Sequence, residues 1–289
     1  MSIFNMEKVT WKDIHNLDKD KSAVFVALSP IEEHGPHLPL GTDYISAKDL
    51  LKAVIDNLEK QNNAYNYIIH PSFPIGYNEC VMNYPGTISF KSKTIENIVV
   101  DLGESISRAG FKKMVIVNHH LDLGHIKVIE NAKDIPNKEC SLKVLEVASS
   151  IIYSQSAKEK VKIVKNDLNM EREIHADVRE TSFMLFKHPE LVKECYSNLE
   201  PVYMNMKEFI KSGERCWREC GMEEGYIGSP AKGNKEKGKV QFEDMIKNTV
   251  ELIFKFLQYG YVPELSKEIK IAMNYMILRW INICTQLDS

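Results

Sequence analysis

Long apolar runs are missing from this 289-residue chain: no window reaches the roughly 20 residues a membrane-spanning helix needs, so no membrane insertion is expected. The opening stretch MSIFNMEKVTWKDIHNLDKDKS lacks the basic flank, unbroken apolar centre and small-residue cleavage site of a secretory leader, and none is expected. No stripe of lysine or arginine accompanies an aromatic platform, which excludes a nucleic-acid partner, and the net charge of -3 is close to balance. The basic run KGNKEKGK over 232–239 reads as a solvated turn, because glycines and a glutamate interrupt it. Cysteine is sparse, six in all (Cys80, Cys140, Cys195, Cys216, Cys220, Cys284), which points to reduced thiols in a cytoplasm rather than a stapled secreted domain. Cys216 and Cys220, four apart as on one helix face, have no second Cys/His pair to complete a zinc site and are read as packing residues. Repeats and low-complexity tracts are absent too. With 44% hydrophobic residues the chain can bury a large core, expected as one α/β domain over 1–262 with a C-terminal helical extension over 263–289.

What is present is polar and placed at strand ends. Ala23-Val24-Phe25-Val26-Ala27 has the length and β-branched, aromatic content of a buried strand, and LSPIEEHGPHLPLGTD follows it. Glu32, Glu33, His34, His37 and Asp43 are interleaved there with Gly35, Pro36, Pro39 and Gly41, which cannot continue a helix. Carboxylates and imidazoles in one rigid loop suit a divalent metal: Glu32 and His34 could share one ion or address two, with Asp43 bridging from the far end. A solvated loop with helix-capping acids is the plainer alternative. A helix follows from Asp43 to Leu58, then a strand at 67–70 and a long proline- and glycine-rich loop, PSFPIGYNECVMNYPGTISF. After an amphipathic helix over 93–109 comes the strand Lys113–Val117, ending in Asn118-His119-His120-Leu121-Asp122. Parallel strands bring such ends together. A further strand is expected over 142–148, and Glu173 to Ser182 is read as a helix, with His175 and Glu180 on different faces. Helices are expected over 240–259 and 266–287, the latter apolar all round and so buried against the domain or a second subunit.

The stretches SPIEEHGPHLPLGTD, PIGYNECVMNYPGTISF, GFKKMVIVNHH, HADVRETSFML and GYIGSPAKGNKEKG resemble, in order, those of the creatininase (creatinine amidohydrolase) family of metal-dependent amide hydrolases. The resemblance implies a three-layer α/β/α sandwich with a mainly parallel central sheet. It also implies a two-metal centre of zinc or manganese, two ions per subunit, in which Glu32 serves one ion, His34 the other and Asp43 bridges them. His120 matches the family's middle histidine, and Asp122, Glu180 or both complete the second ion. His175 matches a substrate-facing histidine, so His175 and Glu180 are the expected proton-handling groups, while Asn78, Glu79, Leu121 and His175 line the substrate pocket. The expected partners are a small-molecule substrate and copies of the same chain, as a hexamer.

Two departures shape the expected reaction. Relatives carry Asn-Gly-His-Gly-Gly-Asn where this chain has Asn118-His119-His120-Leu121-Asp122-Leu123, and bulky His119, Leu121 and Leu123 remodel the pocket floor. Creatinine-cleaving members close the site with mid-chain tryptophans, and none lies here between Trp11 and Trp217, so creatinine is not the expected substrate. The expectation is hydrolysis of a non-peptide C–N amide bond in a small, cyclic or formylated metabolite. A C–C or peptide-bond hydrolase on the same centre, or a non-catalytic assembly protein, stands as the alternative.

Overall fold

The computed structural model describes residues 2–61, 64–139, 141–155, 172–205, 208–209 and 216–274. Five parallel strands form its sheet: β1 (Ile3–Asn5), β2 (Ser22–Ala27), β3 (Asn66–Ile69), β4 (Lys113–Val117) and β5 (Lys143–Glu146), in the order β1-β3-β2-β4-β5. Parallel strands need crossover helices on both faces, so they read as continuous apolar runs, and all six residues of β2 are buried.

Alternate side chains go to opposite layers. Ala23, Phe25, Ala27, Val115, Val117 and Leu145 join one core with helices α2 (Thr42–Lys60), α6 (Val178–Lys187) and α7 (Lys235–Tyr259). Val24, Val26, Met114, Ile116 and Val144 join the other, covered by α3 (Ser92–Arg108) and α4 (Leu123–Glu139). The result is the expected α/β/α sandwich. A short α1 (Trp11–His15) is closed at its start by a reciprocal pair of bonds between Thr10 and Asp13.

Three local expectations are corrected. The strand expected over 142–148 stops at Glu146, because its carboxylate accepts from the backbone N–H groups of Ala148 and Ser149 and so starts helix α5 (Val147–Ile152). The run 232–239 is not a turn beyond Gly233: Asn234 accepts from Lys237 N and opens α7. Gly238 is there because a Cβ would stand 1.9 Å from the Ser182 carbonyl oxygen, so only glycine lets α7 approach α6 so closely. Cys216 and Cys220 do not share a helix, since only Arg218–Cys220 forms a short 3-10 turn; Cys80 and Cys195 are free thiols. Cys140 and Cys284 lie outside the described residues. Of the helix expected over 266–287, residues 267–274 are helical and bury Met273, with Leu265, against Ile126 of α4. No helix among the described residues is long and apolar enough to cross a membrane.

Candidate metal centre

Four segments meet at the carboxyl ends of β2 and β4. The loop after β2 is strapped in place: Glu32 N donates to Leu40 O (2.9 Å), Ile88 N to Ile31 O (3.0 Å) and Lys193 N to His37 O (2.8 Å). These bonds hold Glu32 and His34 against Asp43 in the first turn of α2. From the end of β4, Asn118 accepts His120 N (2.9 Å) and donates to the His120 carbonyl (2.7 Å), folding the chain back so that the His120 ring enters the same space.

The fourth segment departs from expectation. Glu173 to Ala176 is not helical: His175 pairs as an isolated bridge with Ile227, and α6 begins only at Val178, capped by Asp177. Ala176 takes a left-handed φ of 47°, a conformation that costs an L-residue on the order of 1 kcal/mol. Its N–H donates to Glu180 Oε2 (2.5 Å), and that turn sets His175 and Glu180 on one site from two different elements.

The side chains form three interlocking groups whose ligand atoms approach closely: Glu32, His34 and His175; Glu32, Asp43 and His120; and His34, Asp43 and Glu180. His120 Nδ1 lies 3.0 Å from Asp43 Oδ2 and 3.2 Å from Glu32 Oε1. His34 Nε2 lies 3.6 Å from Asp43 Oδ1 and 3.9 Å from Glu180 Oε1, and His175 Nδ1 lies 3.8 Å from Glu32 Oε1. Asp43 thus belongs to two groups through its two oxygens.

The opposite ring nitrogens explain the arrangement. His34 Nδ1–H donates to the Glu32 carbonyl (3.1 Å), His120 Nε2–H to the Tyr77 carbonyl (3.3 Å) and His175 Nε2–H to the Glu33 carbonyl (2.8 Å). A carbonyl only accepts, so each imidazole is fixed with its second nitrogen turned toward carboxylate oxygens. Glu32 Oε1 and Oε2 and His34 Nε2 are buried without a hydrogen-bond partner among the described residues. Lone pairs facing carboxylates at such distances repel unless a proton or a cation stands between them, and buried polar atoms without partners are costly. Imidazoles oriented by a carbonyl behind them, with carboxylates in front, form a donor set that fits divalent cations.

The charges agree. Burial would push His34 down, but Asp43, Glu180 and Glu32 outweigh it and hold the ring up at about 10. Burial and His34 likewise push His175 down, yet Glu33 and Glu32 keep it at about 9. Burial would raise Asp43, but His34, with His119 and His120, holds it well below the usual carboxylate range. Glu180 is raised, mainly by burial. Positive charge is wanted at this spot, and protons or cations can supply it.

Other expected residues stand differently. Asp122 lies outside the three groups: its carboxylate accepts from His125 N (3.0 Å) at the start of α4, where it caps the helix. Glu79 accepts from Ser89 (3.3 Å), and Leu121 presents its carbonyl to the Tyr153 hydroxyl (3.0 Å). Asn78 is buried, with neither side-chain polar atom partnered among the described residues. Three residues near the site stand outside the ligand, proton-handling and substrate-lining sets named from sequence. Glu33 reaches His175 Nε2 (3.1 Å) across the space beside Gly225, where a Cβ would stand 2.1 Å from the Glu33 carboxylate. His119 Nδ1 stands 3.6 Å from Asp43 Oδ1, and Trp217 packs edge-on against the His175 ring. Glu33 and His119 adjoin assigned residues in sequence, a signal that could have flagged them, whereas Trp217 carries no local signal.

Comparison with known proteins follows the geometry. The profile of the creatininase family, creatinine amidohydrolase, matches residues 7–253. The mycofactocin precursor peptide peptidase of Mycolicibacterium smegmatis (strain ATCC 700084 / mc(2)155) is 30% identical over 97 residues, 34% of this chain and 38% of that one. The chain therefore spans little more than a third of that curated relative. The creatinine amidohydrolase of Pseudomonas putida is 22% identical over 196 residues, 64% of this chain and 72% of that one. A solved structure described as "Creatininase Mn" superposes with a TM-score of 0.67 at 19% identity, covering 89% of this chain and 100% of that one. A creatininase variant of Zn-Zn type superposes at 0.67 with 18% identity, over 88% and 98%. At these identities the structural likeness speaks to the fold alone.

Proposed function

Because its residues 7–253 match the family profile, the chain belongs to the creatininase family, and we propose that it is a two-metal hydrolase of amide C–N bonds. One observation carries the reading: three imidazoles, each pinned by a backbone carbonyl, aim their free nitrogens at carboxylates that interlock through Asp43. In this reading Glu32, Asp43 and His120 hold one ion, and His34, Asp43 and Glu180 the other. The chemistry that two divalent cations, zinc or manganese, supply when bound there is a water of lowered pKa and a polarised carbonyl. Occupation by cations requires the imidazoles to be neutral, so metal uptake releases protons.

The chain's own groups do the rest. The backbone carbonyl of Glu33 holds His175 Nε2–H, which leaves Nδ1 to carry a proton to the departing nitrogen as the C–N bond breaks. Glu33 Oε1 stabilises that ring in its protonated form. Glu180, fixed by Ala176 N–H, holds its other oxygen toward His34. The substrate in this reading is a small polar amide other than creatinine. A peptide bond is the second reading, favoured by the mycofactocin precursor peptide peptidase among the relatives. As in the family resemblance, a homo-oligomer, a hexamer, is the proposed assembly, read out by light scattering.

Metal analysis of protein expressed in zinc- and manganese-supplemented medium tests the centre. Wild type should carry about two ions per chain and Asp43→Asn fewer than one, since both groups lose the same ligand. Substoichiometric metal in wild type would remove the basis of the proposal. Removing metal with a chelator should lower the melting temperature, as loss of any ligand specific to the native state does. Turnover of a panel containing creatinine, N-formyl amino acids, cyclic amides and short peptides separates the two substrate readings.

A further inference from the structure

A third apolar cluster stands apart from the two cores. It gathers Cys80, Val81 and Tyr84 from one loop with Trp217, Phe209 and Ile227. The loops at 77–84 and 216–222 are clipped together. Trp217 N donates to Cys80 O (3.0 Å), Cys216 Sγ to Glu79 O (3.6 Å), Asn83 Nδ2 to Glu219 Oε1 (2.9 Å) and the Tyr84 hydroxyl to Met222 O. This wall borders the metal centre at two points: Tyr77 presents its carbonyl to His120, and the Trp217 ring centroid lies 5.0 Å from that of His175 at 64°.

Two polar groups in the wall have no partner among the described residues. Trp217 is 8% exposed and its indole Nε1–H has no partner among the described residues. Asn78 is 1% exposed, with both its amide nitrogen and its oxygen unpartnered among the described residues. The indole cannot be a metal ligand, since its N–H only donates, and the apolar cluster that packs the ring does not need its nitrogen. A buried donor beside a reactive centre, unsatisfied from within the fold, is what a pocket reserves for an acceptor on its ligand.

Resting on the hydrolase reading above, we propose that Trp217 is a specificity residue whose indole N–H takes a second carbonyl oxygen of the substrate, one flanking the scissile amide. The substrate class is then a neutral amide with two neighbouring carbonyls, as in cyclic imides and ureides, with the Asn78 carboxamide matching the N–H and C=O edge between them. Neutrality follows from the recognising groups, which carry no charge. Arg179, adjacent to Glu180 in the chain, is already taken by Asp177 Oδ2 (2.8 Å from Nε) and by the Glu173 carbonyl (2.8 Å).

Succinimide and 2-pyrrolidinone, five-membered rings that differ by one carbonyl oxygen, are the probes. With metal-loaded wild type, calorimetry should show succinimide bound about tenfold more tightly, the worth of one hydrogen bond to a buried donor. Trp217→Phe keeps the ring contact with His175 and removes the N–H, and should bring the two affinities within about twofold while metal content stays at the wild-type value. An unchanged preference in that variant overturns the proposal, as does wild type that binds both probes equally or neither. Should the variant fail to fold, the indole proton resonance of Trp217 in labelled wild type decides: it should move on addition of succinimide and not of 2-pyrrolidinone, and no movement overturns the assignment. Wild type without bound metal would instead sink the hydrolase reading itself, a result distinguishable from loss of the preference alone.

Discussion

Replacing Glu146 by glutamine should flatten one component of the protein's pH-dependent stability. Glu146 is fully buried where β5 passes into α5, and burial, reinforced by Glu130, pushes its carboxyl up from 4.5 to about 7 despite the N–H groups of Ala148 and Ser149 that it accepts. The folded state therefore binds this proton more tightly than the unfolded chain. Stability from this group is full below pH 4.5 and is lost as pH rises through about 7. At about 1.4 kcal/mol per unit the whole loss is about 3 kcal/mol, of which about 2.5 kcal/mol falls between pH 5 and pH 8. Glutamine keeps one acceptor for the helix start and cannot ionise. The difference in melting temperature, Glu146→Gln minus wild type, should thus rise on the order of 5 °C from pH 5 to pH 8, read by calorimetry. Glu146 lies outside the three metal-ligand groups, so titrations at the centre affect both proteins alike and cancel. A difference that stays flat across that range would show that Lys133 keeps Glu146 ionised in the fold and would refute the reasoning.

Two further substitutions probe the architecture. Glu180→Gln should lower metal content from about two ions to about one, whereas Asp122→Asn should leave it at two and cost at most about 1 kcal/mol in stability, as a weakened helix cap; metal analysis with thermal melts separates them. Gly238→Ala would place a methyl group against the Ser182 carbonyl, forcing α6 from α7 at about 1–3 kcal/mol, seen as a lowered midpoint in urea.

Much of this was legible in the residues. The apolar runs Ala23–Ala27 and Lys113–Val117 declared themselves as strands by length and branching, and the polar residues that follow them had to meet because parallel neighbours end on the same side. Glu32, His34, Asp43, His120 and Glu180 were named from sequence, and the fold gathers them into two groups that share Asp43, one with Glu32 and His120 and one with His34 and Glu180. What escaped is long-range. Periodicity joined His175 to the helix that carries Glu180, because no local signal announces a left-handed alanine held by an acid four residues on. The basic run at 232–239 read as a turn because two of its residues are glycines, and only the facing carbonyl of Ser182 explains Gly238. Trp217 came to the centre through a loop whose partner lies more than a hundred residues earlier, which pattern within a window cannot register.

The loop from Ile31 to Asp43 is a closed circuit, tied at Glu32 to Leu40 and stitched outward to Ile88 and Lys193. Its length is thereby fixed by geometry: one residue more or fewer between Gly35 and Leu40 would break the ring and part Glu32 from Asp43. Divergent descendants of this chain are free to trade walls, floors and tails, but indels in that short span should be purged, and variety in what is recognised has to be sought elsewhere in the fold.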